Sequence, residues 1–257
     1  MQDKTLLKDR VVMITGAGQG IGRALAQYAV GKGARVALID INENALSETL
    51  LSIGQDNGKI YTGDICNEEF IQGTVDDIVN YFGDLQGLVN NAGIVRAAMA
   101  HKMTLTQWQQ VIDVNLTGAF ICLHAVGKYF IQKSKNGDPN PGSIVNVSSD
   151  AGRHGTFGQI NYGAAKSGLL GLTMSAAREW GAYNINVNSV CFGMVETAMT
   201  ETVRQEKFRD KYLQKIPMRR FSTTDDVVPA TCMLLSDMAN YITGQHLSIS
   251  GGYYMSA

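Results

Sequence analysis

Short apolar runs alternate with longer amphipathic stretches along the whole chain. The runs "VVMIT" and "SIVNV" are apolar at nearly every position. A strand with one wet face would alternate apolar and polar residues, so these suit strands covered on both faces. Such runs predict strands over Arg10–Thr15, Arg35–Asp40, Gly58–Gly63, Leu85–Asn90, Ser143–Ser148, Asn184–Val190 and His246–Ile249. Between them, apolar residues recur at helical spacing over Ile21–Lys32, Glu68–Tyr81, Thr106–Lys133 and Tyr162–Gly181. The alternation predicts an α/β fold with a parallel sheet and right-handed crossovers. "SKNGDPNPGS" (Ser134–Ser143) holds two of the four prolines and reads as a surface loop before the fifth strand. No repeat or linker divides the chain, so the expectation is one domain over 1–257, its nucleotide half about 1–150.

Composition narrows the function classes. At 257 residues and 45% hydrophobic, the chain can bury the core of a large α/β domain. A net charge of −1 gives no global field for nucleic acid or an anionic membrane. No signal peptide is expected, and no apolar run approaches the ~20 residues of a membrane span. Cys66, Cys122, Cys191 and Cys232 lie far apart with no Cys-x-x-Cys, so no metal site is expected. Reduced thiols in a cytoplasmic protein are the expectation.

The first predicted strand runs into "TGAGQGIG" (Thr15–Gly22), which opens a helix. Glycines there let the backbone approach a pyrophosphate, and the helix N-terminus offers free N–H groups. The spacing is G-x-x-x-G-x-G over Gly16, Gly20 and Gly22. The second strand ends at Asp40, eighteen residues after Gly22. A carboxylate there can accept the ribose hydroxyls of NAD and would repel the 2′-phosphate of NADP. NAD(H) is therefore the expected cofactor; Arg23, after the glycine loop, keeps NADP(H) open. Asp64 ends the third strand and "NNAG" (Asn90–Gly93) the fourth, where open α/β sheets bind ligands.

With TGAGQGIG, Asp64, NNAG, Asn115 in "VNL", Ser149 in "VSS", YGAAK and the closing "ITGQHLSISGG", the sequence resembles the short-chain dehydrogenase/reductase family over nearly its whole length. The resemblance implies one doubly wound Rossmann-type domain, a seven-stranded parallel sheet flanked by helices, and a homotetramer or homodimer. It implies a catalytic tetrad of Asn115, Ser149, Tyr162 and Lys166. It places Gly16, Gln19, Gly20, Ile21, Gly22, Asp40, Asp64, Ile65, Asn91, Ala92, Gly93, Tyr162, Lys166, Val195 and Thr197 around the cofactor. The chemistry fits: a free tyrosine has a pKa of ~10, and Lys166, one helical turn on, places a cation beside the Tyr162 phenol that favours phenolate. Ser149 would orient the substrate oxygen. Taken by itself, Asn115 reads as a polar residue on a solvated helix face; the resemblance assigns it a proton relay behind the lysine. Where the family shows Pro-Gly after the sixth strand, this chain has Phe192-Gly193, which loses a fixed φ at the site's mouth.

The substrate is less legible. Residues 194–220 match the family's lid and hold seven Lys/Arg against four Asp/Glu, which reads chiefly as a solvated face. Arg96, His154 and Phe157 are candidate substrate contacts. "NNAGIVR", "IPMRRF" and "SISGGYYM" are most like the 3-oxoacyl-[acyl-carrier-protein] reductases. Asn140 and Tyr183 stand where those enzymes carry arginines that dock the carrier, and Asp40 favours NAD where they use NADPH. The expectation is an oxidoreductase interconverting a 3-oxoacyl and a 3-hydroxyacyl thioester. The alternatives are a dehydrogenase of a sugar, steroid or other secondary alcohol and, more remotely, an inert NAD-binding sensor or scaffold.

Overall fold

Strand β1 (Val11–Thr15) is buried along its whole length, and its side chains part to two different cores. Val12 and Ile14 pack with Leu25, Leu46 and Val227, while Val11 and Met13 pack with Ile71, Val75, Cys122 and Phe130. That two-residue alternation places one apolar layer on each face of the sheet. The structure is a computed structural model describing residues 6–201 and 206–255, with only the backbone at 206–208.

Seven parallel strands follow the order β3-β2-β1-β4-β5-β6-β7. They are β1, β2 (Arg35–Asp40), β3 (Gly58–Thr62), β4 (Gly87–Asn90), β5 (Gly142–Ser149), β6 (Ile185–Phe192) and β7 (His246–Ile249). Helices α1 (Gly20–Gly31) and α2 (Glu43–Ile53) cover one face, and α3 (Glu68–Phe82) covers the other. On that second face also lie α5 (Ala119–Lys135) and, after a single turn α6 (Ala151–His154), the long α7 (Ile160–Trp180), against which α4 (Leu105–Ile112) packs. Helix α8 (Glu206–Leu213) lies within the expected lid segment, 194–220, and α9 (Thr224–Met233) returns to the face of α1. This is the predicted doubly wound α/β fold. Winding reverses between β1 and β4, and the crevice outside their carboxyl ends is where such sheets take ligands.

One expectation changes. The helical stretch predicted over Thr106–Lys133 is broken by a π turn, Asp113–Gly118, between α4 and α5. The joined helix Leu105–Lys135 is long and apolar enough to cross a membrane by length and mean hydropathy (1.3), although no single apolar run in the sequence suggested it. Half of its apolar window is buried in the fold, where Cys122, Val126 and Phe130 join the core.

Candidate active site

The glycine loop is shaped by contacts that only glycine permits. A Cβ on Gly22 would lie 2.0 Å from the Gly16 carbonyl oxygen and 2.8 Å from Asn91 Nδ2, so α1 must start on bare backbone. Asn91 Nδ2 donates to the carbonyls of Thr15 (3.0 Å) and Gly16 (3.2 Å), and Thr15 Oγ1 accepts the N–H groups of Asn91 and Ala92 (both 3.0 Å). The ends of β1 and β4 are thereby tied across the switch point. At the end of β2, Asp40 Oδ2 accepts Gly18 N–H (3.0 Å) and Oδ1 accepts Asn42 N–H (3.1 Å). Each oxygen keeps a lone pair for a further donor. Arg23 turns away: its guanidinium donates to Gly18 O (2.7 Å), Thr49 Oγ1 (3.0 Å) and Glu48 Oε2 (2.8 Å).

One cavity of about 400 Å³ runs from Asp40 to Tyr162. Gly16, Gln19, Gly20, Ile21, Asp40, Asp64, Ile65, Asn91, Ala92 and Gly93 line its nucleotide side; Ser149, Tyr162, Lys166, Val195 and Thr197 line its far end. Its size and its largely apolar wall with a few convergent polar groups are those of a small-molecule site. A cradle of bare glycine backbone, a helix N-terminus and an acid at the end of β2 together fit a dinucleotide. Gly22 and Asn115 stand behind the wall.

At the far end, β5 delivers Ser149 and α7 delivers Tyr162 and Lys166. Ser149 Oγ accepts Ala151 N–H (3.2 Å) and hydrogen-bonds the Tyr162 hydroxyl. Ser148 Oγ instead donates to the Lys166 carbonyl (2.7 Å), bracing the helix against the strand. Lys166 is 4% exposed; its Nζ donates to Val147 O (2.7 Å) and lies 5.7 Å from the Tyr162 ring centroid. Burial pushes its pKa down to about 8, with Cys191 opposing. Burial also raises the Tyr162 phenol, and the Ser149 hydrogen bond only partly opposes it. The expected phenolate-favouring effect of the lysine is therefore not the dominant influence here, because the lysine is itself driven towards neutrality by the same dry environment.

Asn115 is 0% exposed, which corrects its reading as a solvated helix residue. The π turn carries it inward, where Oδ1 accepts Ile94 N–H (2.8 Å) and Nδ2 donates to Ile94 O (3.0 Å). π turns occur frequently at functional sites. Phe192 is buried as the last residue of β6, paired with Ser149 and Ile249, and its carbonyl accepts Asp150 N–H (3.0 Å). Strand pairing thus supplies the order that a proline would have given.

The three candidate substrate contacts do not line the cavity. Phe157 is 94% exposed, Arg96 Nε donates to Gln110 Oε1 (3.0 Å), and His154 stacks on Tyr254. In the lid, Arg220 pairs with Asp226 and holds its carboxyl far below the usual range. Arg204 and the Lys207 side chain lie outside the described residues. The cavity wall also includes Ile41, Ile94, Val114, Met199 and Thr200, which the sequence reading did not single out. Ile41 was findable from its place at the end of a strand. Thr200 reaches the site by a reciprocal cap with Thr197 and by donating to Val195 O (2.6 Å).

Known proteins match this arrangement. The family model described as "Enoyl-(Acyl carrier protein) reductase" covers residues 16–254. A 3-oxoacyl-[acyl-carrier-protein] reductase of Thermotoga maritima is 39% identical over 96% of this chain and 98% of its own. An acetoacetyl-CoA reductase of Rhizobium meliloti is 38% identical over 96% and 99%. A Sinorhizobium meliloti protein, provisionally named a short-chain alcohol dehydrogenase, superposes with a TM-score of 0.90 at 34% identity over 96% of this chain and 97% of its own. The chain belongs to the short-chain dehydrogenase/reductase family and is an NAD(P)-dependent oxidoreductase.

Proposed function

We propose that the protein reduces 3-oxoacyl thioesters to 3-hydroxyacyl thioesters, and runs the reverse oxidation, with NAD(H) preferred. The observation that carries this reading is the single cavity joining Asp40 at one end to Ser149, Tyr162 and Lys166 at the other. The names of the relatives, 3-oxoacyl and acetoacetyl-CoA reductases, support the thioester. Asp40, with lone pairs available, and Arg23, held by Glu48 and Gly18 O, support NAD over NADP.

The cofactor, when bound, supplies or accepts the hydride. The glycine loop and the N-terminus of α1 would hold its pyrophosphate, Asp40 its adenosine ribose, Asp64 its adenine, and Val195 and Thr197 the carboxamide end. Ser149 Oγ, already within hydrogen-bond reach of Tyr162, donates to the substrate carbonyl oxygen and orients it. Tyr162 delivers its proton to that oxygen in reduction and takes it back in oxidation. The raised phenol pKa keeps the proton in place at neutral pH, which suits the reductive direction. Lys166 holds a proton behind the phenol, and Asn115 fixes the Ile94 backbone at the wall of that route. The dry wall formed by Ile94, Val114 and Val147 limits water at the reacting atoms.

We also read the protein as a cytoplasmic homotetramer of one domain per chain. Phe120 on α5 and Met174 on α7 expose apolar surface that a second subunit would cover. The four cysteines are free thiols, as a reducing compartment allows. Among the described residues no group of side chains is arranged to hold a metal ion.

A substrate panel followed by NADH absorbance tests the reading. Acetoacetyl-CoA should turn over with kcat/KM at least about tenfold above sugar and cyclic alcohols or ketones, a difference of ~1.4 kcal/mol in transition-state binding. NADH should give the higher kcat/KM of the two cofactors. Turnover confined to sugar or cyclic alcohols would overturn the thioester assignment.

A further inference from the structure

Behind the reaction centre, buried polar groups gather at the carboxyl ends of β5, β6 and β7. Asp150, directly after Ser149, is 2% exposed. Its backbone carbonyl accepts the N–H groups of Arg153 and His154, which winds the single turn α6. That turn lies flat on α7: a Cβ at Gly152 would sit 2.7 Å from the Lys166 carbonyl carbon. Any shift of α6 therefore presses on the backbone that carries Lys166.

From α6, Arg153 reaches away from the cavity and across the sheet ends. Its Nε donates to Cys191 Sγ (3.3 Å), its Nη2 donates to the His246 carbonyl, and its guanidinium lies 5.1 Å from the Tyr254 ring centroid. His154 stacks on the same ring (5.8 Å, 25°) and meets Tyr253 edge-on (5.4 Å). The C-terminal tail is thus gripped by two side chains from the loop between Ser149 and Tyr162. Further back along the tail, Gly251 O accepts Met218 N–H (3.1 Å), and a Cβ at Gly252 would lie 2.8 Å from the Pro217 ring. Pro217 and Met218 belong to the lid, whose other arm carries Thr197 and Thr200 into the cavity and is joined back by the Val195–Ser222 bridge. One continuous path of contacts therefore links the serine loop, the tail and the lid.

We propose that Arg153 and Tyr254 are positioning residues that lock the Ser149–Tyr162 loop to the tail, and through it to the substrate lid, so that the reacting hydroxyls and the lid are set together. The proposal rests on the reading of Ser149 and Tyr162 as the reaction centre. Neither residue lines the cavity, so their effect passes through the geometry of α6 and not through substrate contact. A guanidinium over an aromatic face in a partly dry site gives a directed attraction that lysine reproduces poorly. Misplacement of reacting groups by about 1 Å can cost a hundredfold in rate.

A double-mutant cycle tests this, with Arg153→Ala, Tyr254→Ala and the pair measured for kcat, KM and NADH Kd on acetoacetyl-CoA. Each single change is expected to lower kcat about tenfold while NADH Kd stays within about twofold. The pair should be about fivefold more active than independent effects predict. Tyr254→Phe, which keeps the ring and loses the hydroxyl that hydrogen-bonds Arg153, should restore most of the lost kcat. If Arg153→Ala fails to fold, Arg153→Lys serves the same cycle. Independent effects, unchanged kcat, or a Kd that weakens in step with kcat would overturn the proposal. Hydrogen exchange gives a second measure: Tyr254→Ala should speed exchange in both 151–158 and 206–222, and a change confined to the tail would overturn it. Ser149→Ala and Tyr162→Phe run alongside. Their retained activity would remove the reading of the reaction centre, whereas their inactivity beside an additive cycle would remove only this proposal.

Discussion

Lys166 is the group whose shifted pKa would set the pH behaviour of the proposed reaction. Burial lowers its pKa from 10.5 to about 8, a penalty on the charged form of about 3 kcal/mol. Its proton is present below about 8 and lost above. In the proposed reaction, reduction consumes that proton through Tyr162, whose own pKa is raised by burial. The kcat/KM for reduction should therefore be level from pH 6 to about 8 and fall about tenfold per unit above it. A profile level to pH 10 would contradict the role of Lys166. At this scale the sequence was most legible where one residue's chemistry is self-contained. The Tyr162–Lys166 spacing declares its own geometry, since four residues on a helix share a face. The burial that reverses the balance of their pKa values does not show in spacing. Taken by itself, Asn115 reads as solvated for the same reason, because its burial depends on a π turn that no periodicity announces.

The glycine loop and α1 act as one element. Gly22→Ala would force a Cβ against the Gly16 carbonyl oxygen, and backbone cannot yield as a side-chain tip can. We predict a loss of about 1–3 kcal/mol of stability, read by urea unfolding. NADH Kd should weaken at least about tenfold, read by calorimetry. Gly31, at the other end of the same helix, has open space around its Cβ position, so Gly31→Ala should be neutral or stabilising by up to about 1 kcal/mol. Equal effects at the two positions would show that helix propensity, not the close approach, explains Gly22. The strands and the glycine loop were readable because buried strands and tight turns are written locally. Helix α9 was not singled out: it is only ten residues long, carries Pro229 and is mixed apolar and polar, so its fit against α1 is a tertiary property. The grip of Arg153 on Tyr254 joins residues about a hundred positions apart, and no local pattern announces it.

Across the whole molecule, the strand order explains why one cavity joins both ends of the proposed site. Reversal of winding between β1 and β4 puts the glycine loop beside the "NNAG" turn, while β5 and β6 bring Ser149 and Phe192 to the same end of the sheet. The ends proposed to hold the nucleotide and to transfer the proton then face each other across a single space. Arg96, His154 and Phe157, which read as contacts in the sequence, stand outside the cavity. The claim that this cavity moves a proton through Tyr162 is tested most directly by Tyr162→Phe, which removes one hydroxyl and no phosphate contact. The account predicts that kcat for acetoacetyl-CoA reduction falls by about 10²–10⁴ while NADH Kd changes less than about twofold. Turnover near the wild-type rate, with NADH still bound, would contradict it.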